Sequence, residues 1–363
     1  MTLYGKGYYI WQIRNCEGGD ANAIADLADH SGYSHILIKI ADGASAYNVD
    51  LSTGADLVQP VAQALRSKGI SPWGWHFVYG NDPSNEADIA IQRLHKLDLD
   101  GYVIDAETQY EQPGKDQAAE TFMSKLRSAL PSFPVALSSF RFPTYHPGLP
   151  WVEFLEKCDY NMPQVYWLKG HNPGQQLTRC VNEFQVIQPF RHIIPTGAAF
   201  TEYGWSPTSA EVNEFLDTAR NLNLDAVNFW EWSNTRRYLP DVWTMIKNYS
   251  WPADPGLDII QRWLSLMNSH DPNQVVSLYN PDAVYVTGEQ TIKGIQAIRT
   301  WYANLFLKLP NALFTLKSFS GSANRRHFVW KANSYQGSIN EGNDTLGLFS
   351  GQIVYHYSYF QIN

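Results

Sequence analysis

At 363 residues the chain is too long for one ordinary domain and about the right length for two. Hydrophobic residues make up 44% and charged residues 17%, enough to bury a core, which excludes a disordered chain. A net charge of −8, with no run of Lys or Arg, excludes a phosphate-binding surface and with it nucleic acid as a partner. The 13 Trp and 21 Tyr are plentiful for this length. Most belong to the core, but a few are expected in a cleft, because ring faces stack on the apolar faces of sugars. No run of 18 apolar residues is present, so no membrane span is expected. The start, MTLYGKGYYIWQIRN, lacks a basic region followed by a long apolar run, so the expected location is cytoplasmic unless a leader was trimmed or export is unconventional. Cys16, Cys158 and Cys180 are odd in number and at no metal-ligand spacing, so they suggest neither disulfides nor a metal site, and nothing implies a cofactor.

Up to about residue 250, short apolar runs alternate with amphipathic ones. The strand candidates, in order, are YYIWQI, HILIKIA, SPWGWHFVY, GYVIDAE, PVALSSF, MPQVYW, HIIPTGAA and AVNFWEW. Helical segments such as NEADIAIQRLHKL and DQAAETFMSKLRSAL lie between them. In SPTSAEVNEFLDTARNLN, Thr208 and Glu211 have capping-box spacing, and Val212, Phe215, Leu216 and Ala219 fall on one helix face. Eight strand–helix units in about 250 residues predict an α/β fold, a (β/α)8 barrel. The alternative, an open doubly wound sheet, is disfavoured because no Gly-rich phosphate loop follows the first strand. YSWPADPGLD then reads as a linker centred on 251–256, dividing a barrel of residues 1–250 from a tail of residues 257–363. The tail has helices first and then strands, ending in what reads as an antiparallel meander, which predicts a separate α+β domain.

The stretch DGYVIDAETQYE drives the functional reading. Asp105 and Glu107 are two apart at the end of the fourth strand, so they share a face with side-chain bases about 6–7 Å apart. Barrel enzymes build their sites at that end of the strands. Two neighbouring carboxylates resist double ionisation, and the one that keeps its proton can serve as a general acid, which glycoside hydrolysis needs. The bland reading is a pair of solvated acids at a loop entrance.

LDGYVIDAE resembles the fourth-strand signature of family 18 glycoside hydrolases, the chitinase family, with Asp100, Gly101, Asp105 and Glu107 in register. Val103 stands where that family has a further aspartate, which puts efficient chitin cleavage in doubt. Tyr166 fits the family's sixth-strand tyrosine, with Trp167 replacing the following residue, and AVNFWEW resembles the closing strand, so that Trp230 or Trp232 would form the floor of the sugar site. HILIKIADG and PWGWHFVYG resemble strands of family 25 glycoside hydrolases, the muramidase barrels, whose fourth strand also carries D-x-E; their first-strand aspartate has no counterpart in YYIWQIRN. Both resemblances imply cleavage beside an N-acetylated amino sugar, as in chitin or peptidoglycan. Glu107 would be the general acid, with Asp105 and Tyr166 assisting.

Further binding candidates are Gln164, which shares a face with Tyr166, and Lys39, His76, Glu231 and Trp167; Lys39 and His76 read equally well as satisfied buried polar groups, and Glu231 as a salt-bridge partner. The tail resembles the SnoaL-like family, the cone-shaped fold of polyketide cyclases and nuclear transport factor 2, carried by IIQRWLSLMNSHDPNQVVSLYNPDAVYV, TIKGIQAIRTWY and GQIVYHYSYF. That resemblance implies a ligand pocket or a homodimer through the tail. Asp271 reads as a helix cap, and His327, Asp344 and His356 as residues able to reach a pocket. The alternatives to a carbohydrate-cleaving barrel are a non-catalytic carbohydrate-binding barrel and small-ligand chemistry in the tail.

Overall fold

The structure, a computed structural model, describes residues 3–251, 258–321, 324–349 and 351–363. The chain divides into two compact units, 1–249 and 250–363. Apart from Trp251, the expected linker at 251–256 lies outside the described residues.

The first unit is a closed barrel of eight parallel strands. They are β1 (Gly5–Ile10), β2 (His35–Asp42), β3 (Ser71–Val78), β4 (Gly101–Ala106), β5 (Val135–Phe140), β6 (Tyr160–Val165), β7 (Thr196–Ala198) and β8 (Ala226–Trp230). β1 pairs in parallel with both β2 and β8, which closes the ring. HIIPTGAA is the one expected strand that comes in two pieces, His192–Ile193 and Thr196–Ala198. Pro195 stands between them and has no N–H to give to a ladder, although its carbonyl still accepts from Asn228.

Helices α1 (Ala21–His30), α2 (Val58–Ser67), α3 (Pro83–Lys96), α4 (Lys115–Ala129), α5 (Trp151–Leu155), α6 (Pro173–Gln185), α7 (Ser209–Asn221), α8 (Trp232–Tyr238) and α9 (Pro240–Asn248) follow the strands. The capping box of α7 forms, and Val212, Phe215, Leu216 and Ala219 are its buried face, as the spacing predicts.

Strand alternation decides which residues fill the barrel. Tyr9, Leu37, Trp73, Trp75, Val103, Ala136 and Met162 form one inner core. At its lower end His35 reaches over Gly7 of the intervening β1 to donate from Nε2 to Asn228 Oδ1 at 2.7 Å. Gly7 makes room for this: a Cβ there would lie 2.2 Å from the His35 ring. Lys6, buried on the other face of β1, donates to the carbonyls of Ile246, Lys247 and Tyr249 at 2.6–3.0 Å, tying the first strand to the end of α9. The last carbonyls of a helix lack intrahelical donors, and the Lys6 ammonium supplies hydrogen bonds there.

The second unit has helices α10 (Ile259–Asn268), α11 (Pro272–Val276) and α12 (Ile295–Lys308) against a six-stranded sheet. Its strands are β9 (Tyr279–Val286), β10 (Thr291–Lys293), β11 (Leu313–Ser320), β12 (Arg325–Asn333), β13 (Ser338–Phe349) and β14 (Gln352–Tyr359), in the order β10-β9-β14-β13-β12-β11. Asp271 caps α11 by accepting from Asn273 N, as expected. The sheet is mixed, because β9 runs parallel to β14; the expected antiparallel meander covers only β11 to β14. Sequence reading also missed β13, at 12 residues the longest strand among the described residues. Its Asn340, Gly342, Asn343, Asp344 and Gly347 all disfavour strands in isolation. Gly342 is required by packing: a Cβ there would lie 2.2 Å from the Trp330 indole.

Candidate active site at the barrel mouth

The C-terminal ends of the barrel strands surround a cavity of about 670 Å3, within the usual range for small-molecule sites. Asp105 is the last inward residue of β4, directly above Val103. Glu107 lies just past the strand, where it precedes a short 3-10 helix without capping it, so its carboxylate is left for the cavity. Gln164, inward on β6, joins the two: its Nε2 donates to Asp105 Oδ1 and to Glu107 Oε1, both at 3.0 Å, with Ser138 Oγ at 3.4 Å. The amide therefore fixes the relative position of the two acids.

Burial, and then the charge of Glu107, pushes the Asp105 carboxyl well above the usual carboxylate range; Lys39 and the Gln164 hydrogen bond oppose this. The pair thus holds on to one proton in a place where most carboxyls have lost theirs. Tyr9 lies beneath Asp105, and its phenol is pushed up by burial and then by the Asp105 charge. Tyr166 lines the cavity with its ring edge against Phe200.

The expected candidates separate into those the cavity gathers and those it does not. Asp105, Glu107, Gln164, Tyr166, Trp230 and Glu231 all line it. Among the described residues Glu231 is not paired to a cation: it caps α8, accepting from Ser233 N and Asn234 N, while burial pushes its carboxyl above the usual range. Trp232 does not form the floor. β8 ends at Trp230 and the chain turns into α8, which carries Trp232 out of the barrel to pack fully buried against Tyr8 and Trp243. Trp167, past the end of β6, is likewise buried between Trp205 and Phe215.

His76 points outward from β3, since Trp73 and Trp75 point in. It donates from Nε2 to Gly43 O and accepts from Tyr102 OH, both at 2.7 Å. Lys39 is buried beside the site and bonded to Asp42 at 2.6 Å, with the Tyr47 and Trp75 rings 4.5 and 4.8 Å away. It acts on Asp105 through its charge and does not line the cavity.

Sequence reading missed Trp11, Phe140, Arg141 and His146 in the lining. Trp11 follows the end of β1 and sits 6.2 Å from Trp230, while Phe140 is stacked on His146 at 3.6 Å. The one signal for the first three is position, at or just past the C-terminal end of a strand, whereas His146 follows a 3-10 turn beyond β5.

In the tail, Asp344 and His356 are fully buried on neighbouring strands. His356 Nε2 donates to Asp344 Oδ2 and Ser358 Oγ to Asp344 Oδ1, both at 2.7 Å. The His356 Nδ1 pairs with Tyr279 OH at 2.5 Å, Tyr279 with Tyr302 OH at 2.6 Å, and Trp263 Nε1 donates to Tyr302 at 3.0 Å. His327 is elsewhere, exposed and bonded to Thr345 Oγ1. The expected trio therefore does not assemble.

A family model described as the SnoaL-like domain matches residues 260–356, and the tail is a SnoaL-like domain. Among solved structures, the chain is similar to a protein of the SnoaL-like family from Agrobacterium tumefaciens, with 23% identity, 28% of this chain and 94% of that one covered, and a TM-score of 0.26. It is also similar to an NTF2-like protein of unknown function from Cytophaga hutchinsonii (12% identity, 29% and 88% covered, TM-score 0.25). A third is a protein with a ketosteroid isomerase-like fold from Catenulispora acidiphila, in complex with trimethylamine (17% identity, 29% and 85% covered, TM-score 0.26). No curated protein matches the chain.

Proposed function

We propose that the barrel is a glycoside hydrolase that cleaves beside an N-acetylated amino sugar, with Glu107 as general acid. The observation that carries this reading is the Gln164 amide bridging Asp105 and Glu107 at the mouth of the barrel, beside a wall made by Trp230 and Trp11. The proton retained by the pair passes through Glu107 to the glycosidic oxygen as the bond to the leaving sugar breaks. The substrate's own acetamido oxygen closes on the anomeric carbon, and Asp105 and Tyr166 orient that group and stabilise its developing charge. Water then opens the cyclic intermediate and returns the proton.

Glu107→Gln keeps the shape and removes the acid. Assayed on peptidoglycan and on chromogenic N-acetylglucosamine oligomers, it should lose about a hundredfold or more in kcat/KM. A loss below about tenfold removes Glu107 from the acid role.

A second reading, a carbohydrate-binding barrel without turnover, is favoured by one observation: Val103, apolar and fully buried, occupies the inward position below Asp105. Binding of the same oligomers by both proteins, with cleavage by neither, would select it.

A further inference from the structure

We propose that Arg141 is a specificity-determining residue that holds a carboxylate carried by the sugar substrate at the barrel mouth. The proposal rests on the glycosidase reading above and adds to it the chemical class of the sugar.

Arg141 lies one residue past β5 and is half-buried in the cavity wall. Its head group is held in place: Nη1 donates to Tyr166 O at 2.5 Å, and the guanidinium carbon lies 5.0 Å from the centre of the Phe142 ring. Among the described residues it is the only Lys or Arg lining the cavity. Asp105, Glu107, Glu202 and Glu231 line the same cavity, yet no carboxylate of the described residues comes within ion-pair distance of it.

Three other shielded arginines are matched by carboxylates, and the part-buried Arg191 and Arg262, which have no ion pair among the described residues, do not line this cavity. Arg93 is paired with Asp56, Arg127 with Asp159 and Arg326 with Asp258. A guanidinium withdrawn from water without a counter-ion is costly, and burial does push Arg141 below its ordinary value. Its Nε is also buried with no hydrogen-bond partner.

A sugar hydroxyl could accept a hydrogen bond here but would leave the charge uncompensated. A carboxylate accepts and neutralises at once, in the planar geometry a guanidinium favours. The acidic side of the cavity repels such a group. A carboxylate-bearing sugar therefore has one favourable orientation, anionic substituent toward Arg141 and scissile bond toward Glu107.

The test is calorimetric binding to the full-length Glu107→Gln protein, which prevents turnover, with and without Arg141→Gln or Arg141→Lys. The probes are a tetrasaccharide alternating N-acetylglucosamine and N-acetylmuramic acid, the same tetrasaccharide with its carboxylates reduced to alcohols, and N-acetylglucosamine tetramer. With Arg141 present, the carboxylated probe should bind about 10- to 100-fold more tightly than its reduced form, the range for a charge-assisted hydrogen bond. Arg141→Gln should abolish that preference, weakening the carboxylated probe about 10- to 100-fold more than the two neutral probes, while Arg141→Lys should keep part of it. Equal binding of carboxylated and reduced probes with Arg141 in place would overturn the Arg141 assignment and leave the glycan reading standing. So would an Arg141→Gln variant that weakens all three probes alike, since that is the signature of a purely structural role. Binding of none of the probes would sink both.

Discussion

The two units each bury an acid among aromatic rings, and they use it in opposite ways. In the barrel, Asp105 is shielded, but its partner Glu107 opens on a cavity, and a single amide holds the two in register. In the tail, Asp344 is shielded, and so is everything it touches. His356, Ser358, Tyr279, Tyr302 and Trp263 spend their donors and acceptors on one another. The first network has a side left for a substrate; the second is closed. An acid–histidine pair alone is thus a poor sign of chemistry, since what distinguishes a site from a satisfied core is an open face next to a proton that has been displaced from its ordinary range.

The largest effect should come from breaking the closed network. Asp344→Ala leaves His356 and Ser358 buried without their acceptor and should destabilise the tail by about 3–5 kcal/mol, read as a lower denaturant midpoint by tryptophan fluorescence. Glycan binding by the barrel should not change. If it does, the two networks are not independent and the contrast fails.

Next in size, for each group involved, is a pH effect carried by two barrel histidines. His35 and His76 are fully buried, and burial pushes each down to about 4. As pH falls below about 6.5, the unfolded chain takes up these two protons first and the folded barrel cannot. Stability is therefore complete above that value and is lost as pH falls toward 4, by on the order of 3 kcal/mol for each histidine. Urea titrations at half-unit intervals should show a falling midpoint across this window, and a flat profile would mean that neither histidine is held neutral.

The smallest effect concerns the clamp. Gln164→Leu removes the donor shared by the carboxylates and should cut kcat/KM about 10- to 50-fold, in line with losing a hydrogen bond to a charged group. The hydrogen bond to Gln164 lowers Asp105, so its loss should also move the alkaline limb of the pH–rate profile upward. A rate loss with an unmoved limb would make Gln164 a packing residue only.

Much of this was readable from the chain because barrel strands obey a simple alternation. Val103, Asp105 and Gln164 face inward for the same reason that Tyr9 and Trp75 do. Alternation also holds the answer for His76, since Trp73 and Trp75 fix the opposite parity. It stops being informative where a strand stops. Trp230 and Trp232 share a parity, but the strand ends at the first and a helix begins at the second. Trp167 and Arg141 lie past strand ends too, where one was expected in the cavity and is buried, and the other was overlooked and lines it. β13 escaped for another reason. Its glycines and asparagines are poor strand formers whose placement is set by the side chains of the neighbouring strands, above all Trp330 against Gly342.

Lys6 sets the frame in which any of these experiments can be done on a smaller protein. Among the described residues its ammonium is bonded to three main-chain oxygens, the last of them on Tyr249, with the Tyr33 ring 5.8 Å away. A barrel excised for separate study must therefore carry Tyr249 at least. Cutting even a few residues earlier would strip a cation of its solvent shell at the opposite end of the sequence, and the fragment would fail at its first strand.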